Sequence, residues 1–138
     1  MKIVLHDFEA GSENPYDGLQ VDDSPTLLKI LDDLQYRDPF ILELEGDNGY
    51  RMTIGIGGPI CCVQYGANNG DPPYLTAVLK DEVQTYGRGV QVYLCGGQKT
   101  QFDISKCLPF TTLKTISCHF LETGNRSSAV DWIELEPA

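Results

Sequence analysis

Residues Pro39 to Gly66 read PFILELEGDNGYRMTIGIGGPICCVQYG, and their alternation decides the fold. Successive side chains of a strand point to opposite faces. Phe40, Leu42 and Leu44 therefore share one face, and Ile41, Glu43 and Glu45 share the other. Asn48-Gly49 supplies the positive-φ pair that a tight hairpin turn demands. Beyond it, Tyr50, Met52, Ile54 and Ile56 line one face of a second strand, with Arg51, Thr53 and Gly55 opposite. Gly57-Gly58 predicts another turn, and Pro59 opens a third strand, ICCVQYG. The stretch reads as an antiparallel meander of three strands.

The same glycines and cysteines invite a chemical reading. A dinucleotide fingerprint needs G-x-G-x-x-G between a strand and a helix. Here Gly55, Gly57 and Gly58 lead into Pro59 and a strand, so the third glycine and the helix N-terminus are both missing. No Lys-Ser/Thr pair follows, which excludes a P-loop, and the turn reading stands. Cys61 and Cys62 are neighbours on a strand, face opposite ways, and do not readily share a metal. The remaining cysteines are Cys95, Cys107 and Cys118; no C-x-x-C occurs, and the histidines are His6 and His119. That is not the ligand spacing of structural zinc, and free cysteine packs as a small apolar residue. Cys118 and His119 adjoin, but adjacent residues of a helix do not face each other. There is no G-x-S-x-G. Glu43 and Glu45 share a strand face and form the one carboxylate pair that suggests acid–base work, although solvated acids are the ordinary occupants of an open sheet face. The expectation is no catalytic residue, no cofactor and no bound metal.

Working outward, KIVLHDF (2–8) reads as a strand, and the polar segment 9–23, with Gly11, Pro15 and Gly18, as a loop. Ser24 is the expected cap of a helix with Pro25 in its first position. Leu27, Leu31 and Leu34 form its apolar stripe with Ile30 alongside, while Lys29, Asp32 and Asp33 face away. ANNGDPP (67–73) is a loop, and YLTAVL (74–79) is either a short strand or a helical turn. VQVYLC (90–95) is a strand followed by a Gly-Gly turn and a possible short strand. A second helix begins near Pro109, buries Leu113, Ile116 and Phe120 with Leu121 alongside, and is capped by Gly124. AVDWIEL closes the chain as a strand carrying Trp132. The order β-α-β-β-β-(β)-β-α-β predicts an α+β fold: a mostly antiparallel sheet of about five to seven strands with two helices on one face.

With 138 residues and 41% hydrophobic content, the chain suits one domain with a real core. No apolar run has membrane-spanning length, and MKIVLHDFEAG is interrupted by His6 and Asp7 too early for a signal peptide, so a cytoplasmic protein is expected. The formal charge of −10 is uneven. Residues 1–50 carry twelve acids against three bases, and the remainder eight against seven. This sign disfavours direct nucleic-acid binding and suits a basic protein partner, whose encounter a complementary field accelerates. Five acids of that half, Asp22, Asp23, Glu43, Glu45 and Asp47, are candidate contacts. The segment QYGANNGDPPYL adds Tyr65, Asn68, Asn69, Asp71 and Tyr74, residue types that serve as adaptable contacts in binding loops.

The last third carries a more specific pattern. A strand, VQVYLCGG, precedes LPFTTLKTISCHFLETGNRSSAVDWIEL, in which a Pro-led helix (Pro109) bears an aromatic (Phe120) before Thr123-Gly124. A basic residue (Arg126) and a Trp in the last strand (Trp132) follow. This ending resembles that of the immunity-protein-1 family of bacterial polymorphic toxin systems; where the family often has Pro after the basic residue, this chain has Ser127. The resemblance implies a single immunity-protein domain over residues 1–138. It would bind and neutralise a cognate toxin without catalysis of its own. Toxins paired with this family are often zinc-dependent deaminases that act on cytosine in nucleic acid and must admit a base into a pocket. The implied partner is a basic toxin domain whose active site or nucleic-acid surface is covered; neither nucleic acid nor membrane is contacted directly. Phe120 and Trp132 are expected to pack the second helix onto the sheet. Two other readings stay open: an acidic α+β interaction domain unrelated to toxins, and a small enzyme with a cysteine or carboxylate site.

Overall fold

The computed structural model describes residues 1–9, 14–80 and 89–135; residues 10–13 of the polar N-terminal segment, with Gly11, lie outside them. The described elements are β1 (Ile3–Asp7), β2 (Gln20–Val21), α1 (Ser24–Leu34), β3 (Phe40–Gly46), β4 (Tyr50–Ile56) and β5 (Ile60–Ala67). They continue with β6 (Leu75–Val78), β7 (Val90–Cys95), β8 (Gln98–Asp103), β9 (Leu108–Pro109), α2 (Phe110–Thr123) and β10 (Asp131–Glu134). Seven strands run in the order β10-β6-β5-β4-β3-β1-β2, every pair antiparallel, and β7, β8 and β9 attach off this path. The fold is α+β, with ten strands among the described residues rather than five to seven. The excess comes largely from β2 and β9, two-residue pairings too short to leave a periodic signal in sequence.

The meander β3–β4–β5 forms the centre of the sheet. Its first turn falls at Asn48-Gly49 as expected, but only Gly49 takes positive φ (+89); Asn48 keeps negative φ, and its Oδ1 accepts the Tyr50 backbone N–H at 3.1 Å. The ambiguous segment 74–79 is strand, because Leu75–Val78 pairs with β5 on one side and β10 on the other. α1 is capped by Asp23 rather than Ser24: the Asp23 carboxylate accepts from Thr26 N at 2.9 Å. Ser24 enters the helix and donates its hydroxyl to Glu122 of α2 at 2.8 Å. Pro109 likewise sits at the cap of α2 instead of inside its first turn, and Gly124 ends that helix with φ +75.

Both helices lie on one face of the sheet. Leu27, Leu31, Leu113, Ile116 and Phe120 are fully buried with Leu42, Leu44, Met52 and Ile54 in the main core. The opposite face is not left entirely to water. The β7–β8 hairpin touches β3 through a single parallel pair, Phe40 with Leu94, and covers part of that face. Tyr93, fully buried, packs there on Ile41 and Cys62, and its hydroxyl donates to the Ile60 carbonyl at 3.0 Å. Gly55 makes room for it: a Cβ at this position would lie 2.5 Å from Cys62 Sγ and 2.8 Å from the Tyr93 ring. Cys61 belongs to the helix-side core and Cys62 to the hairpin side, as their adjacency on a strand requires.

Candidate partner-binding surface

Lys2 organises one end of the sheet. Ile3 pairs with Val21 on one side and Gly46 on the other, so the chain continues to Asp22 and Asp47 on either flank of Lys2. Asp47 N donates to the Lys2 carbonyl at 3.1 Å, and its carboxylate accepts from Lys2 N at 3.3 Å. The β5–β6 connection is tied to the same end. Asn68 N donates to the Gly49 carbonyl at 2.9 Å, and Asn68 Nδ2 to the Gly46 carbonyl at 3.1 Å. Asn48 Nδ2 reaches the Gly124 carbonyl at 2.9 Å, joining the β3–β4 turn to the end of α2.

This arrangement collects Asp22, Asp47, Asn68, Asn69 and Asp71 around one end of the sheet, but several have structural duties. Asp23 is a helix cap, and its carboxyl is held below the usual range by the Thr26 backbone N–H and hydroxyl. Asn69 and Asp71 close the loop on itself through Asn69 Nδ2 to Asp71 Oδ2 and Asp71 N to Asn69 Oδ1, both 3.0 Å. Tyr74 donates to the Gly70 carbonyl at 2.6 Å. Tyr65 lies within β5, as the strand reading of 60–66 required, half-buried, stacked on Tyr50 at 5.3 Å and edge-on to Phe120 and Trp132 at 5.9 and 6.1 Å. Burial first, then Tyr50, raises its hydroxyl pKa, which the Arg126 guanidinium 5.7 Å from the ring centroid opposes. Trp132 Nε1 donates to the Ser127 carbonyl at 2.9 Å, so Phe120 and Trp132 do pack the end of α2 and β10 around Tyr65.

Beside this aromatic cluster runs a groove of about 610 Å³, lined by Tyr50, Tyr65, Asn69, Asp71 and Arg126 among others. Tyr50 is 44% exposed at its mouth. The sequence placed Tyr50 on the face of Met52, Ile54 and Ile56; as the first residue of β4 it stacks on Tyr65 but stays exposed.

Glu43 and Glu45 occupy a different part of the molecule, the face opposite the helices. Glu45 pairs with Val4, two residues in from Lys2, and Glu43 with His6, four residues in. Arg51 Nη1 is 3.8 Å from Glu43, and His6 Nε2 is 3.8 Å from Glu45. Sequence reasoning passed over His6 here because only the β1–β3 register sets it directly opposite Glu43.

The cysteines supply no activated nucleophile, since the thiolate is the reactive form. Burial pushes Cys61 up to about 12 and Cys107 to about 11, and drives Cys62 well above its ordinary value. Among the described residues, no helix is long and apolar enough to cross a membrane. No protein-family model matches the chain, and no curated protein matches it.

Proposed function

We propose that this chain is an immunity protein that binds a basic toxin domain, a nucleic-acid cytosine deaminase, and blocks its active site or nucleic-acid surface. The observation that carries this reading is the exposed acidic end of the sheet. Asp22, Asp47 and Asp71 are exposed there, outside the Arg37–Asp7, Arg51–Glu43 and Lys114–Asp32 pairs recorded among the described residues. The groove beside them offers Tyr50 and Tyr65 as aromatic anchors next to Arg126. Aromatic and arginine anchors framed by charge are the usual make-up of a tight interface. The C-terminal pattern supports the same reading, since Phe120, Gly124, Arg126 and Trp132 converge on Tyr65 or its hydroxyl.

Co-expression with the product of the gene immediately upstream tests it. Rescued growth that is lost when Asp22, Asp47 and Asp71 are together replaced by Lys supports the proposal. Absence of rescue, with no complex between the purified proteins, leaves an acidic α+β interaction domain unrelated to toxins.

A further inference from the structure

We propose that His6, Glu43 and Glu45 form a binding site for a divalent transition metal, zinc foremost, on the sheet face opposite the helices. The antiparallel register sets His6 of β1 opposite Glu43 of β3 and diagonal to Glu45, whose direct partner is Val4. Opposed and diagonal residues on one face are within reach of long side chains. One ligand atom from each of the three residues falls in a group whose members lie within 4.8 Å of one another.

The imidazole carries the argument beyond a pair of surface acids. His6 Nε2 is shielded from solvent and has no hydrogen-bond partner, although the side chain as a whole is 31% exposed. Its nearest ionic neighbour, Glu45 Oε2 at 3.8 Å, is too far for a hydrogen bond. The ring is held from the other side by a stacked contact with Phe8, centroids 5.8 Å apart. Glu43 faces the same space from β3: its side chain is only 14% exposed, and its ion-pair contact, Arg51 Nη1, lies at 3.8 Å, beyond hydrogen-bond reach. An imidazole nitrogen shielded from water, without a partner and facing two carboxylates, would be satisfied as a ligand of a cation bound between the three side chains.

The chemistry of the set selects the ion. One imidazole and two carboxylates suit zinc and its transition-metal neighbours, whereas calcium and magnesium prefer oxygen alone. Zinc bonds of about 2.0–2.2 Å place tetrahedral ligand atoms about 3.4 Å apart, so rotation of the two glutamate side chains closes the site. Three protein ligands leave a fourth position for water. A bound ion would fasten β1 to β3 and displace Arg51 from Glu43. The inference is independent of the toxin reading, because the isolated chain suffices to test it.

The test is calorimetric titration of the chelator-treated full chain with Zn²⁺ alone, at neutral pH in a non-coordinating buffer. One site of micromolar affinity is expected, weakened at least tenfold by His6→Ala and by Glu45→Gln, and changed less than twofold by Asp22→Asn. Circular dichroism checks that each variant folds. In the wild-type chain, side-chain NMR signals of His6 should shift on zinc addition while those of His119 stay put. No binding below millimolar zinc, equal affinity in the variants, or a stationary His6 signal overturns the proposal.

Discussion

Replacing Tyr93 tests whether the β7–β8 hairpin is a working second layer. Its ring is fully buried between Ile41, Cys62 and Gly55, and its hydroxyl meets the Ile60 carbonyl at 3.0 Å. Tyr93→Phe removes that bond and leaves a buried carbonyl without this donor, a cost of about 1–2 kcal/mol. Tyr93→Ala also opens a cavity under the hairpin and should cost about 3–5 kcal/mol. With a urea slope near 2 kcal/mol per molar, these are midpoint shifts of roughly 0.5–1 M and 1.5–2.5 M. Gly55→Ala sets a methyl 2.8 Å from the same ring and 2.5 Å from Cys62 Sγ, an overpacking cost of about 1–3 kcal/mol. Part of that cost should vanish when Tyr93 is Ala, so the two changes should be non-additive by about 1 kcal/mol. Urea unfolding followed by circular dichroism measures all four corners of the cycle. A Tyr93→Ala cost below about 1 kcal/mol, or strict additivity with Gly55→Ala, would mean that the hairpin is not docked where described.

Asp7 accepts from Arg37 Nη1 at 2.8 Å and from the Glu9 backbone N–H at 2.9 Å with no side-chain exposure, while Arg37 keeps 32% exposure; Asp7→Ala should therefore cost about 1.5–3 kcal/mol in urea unfolding, and a loss below about 0.5 kcal/mol would contradict these charged hydrogen bonds. The Thr26 backbone N–H holds the Asp23 carboxyl below its usual 3.8, so its capping contribution is complete above that pH and fades as pH falls through the lowered folded value. Wild type and Asp23→Ala should accordingly differ in melting temperature at pH 6 and converge toward pH 2; a gap that widens in acid would reverse the assignment. At pH 8, a thiol-exchange reagent should modify the partly exposed Cys95 and Cys118 first and reach Cys61, Cys62 and Cys107 only as the chain unfolds; rapid labelling of all five would refute the burial that raises their pKa values.

The central meander was legible because strand period and turn chemistry agree. Phe40, Leu42 and Leu44 do face the helices, and Gly49 does take positive φ. The apolar stripes of both helices were legible for the same reason. Their caps were less so: Asp23 and Ser24 are both good caps, and only the geometry of the entry chain chooses between them. The strand 90–95 and the turn after it were legible, but the docking of that hairpin over the second face left little trace, because β7 is fixed by one parallel pair and by a glycine whose missing Cβ admits Tyr93. Among the candidate contacts, Asp22 and Asp47 were found by charge, and their proximity by the register about Lys2. Tyr65 was legible as the penultimate residue of the strand 60–66 and was also grouped with the binding segment that follows; β5 runs one residue further, to Ala67, and holds Tyr65 in the aromatic cluster. The His6–Glu43–Glu45 cluster joins residues nearly forty positions apart, and long-range register cannot be read from local periodicity.

Titration of the purified product of the gene immediately upstream with this chain, read out as deamination of a cytosine-containing substrate, tests the proposed function most directly. On the proposed reading, inhibition should saturate near one equivalent and weaken as salt is raised, as expected where an acidic surface meets a basic one. Full deaminase activity in the presence of excess chain, with no complex formed at low salt, would contradict it.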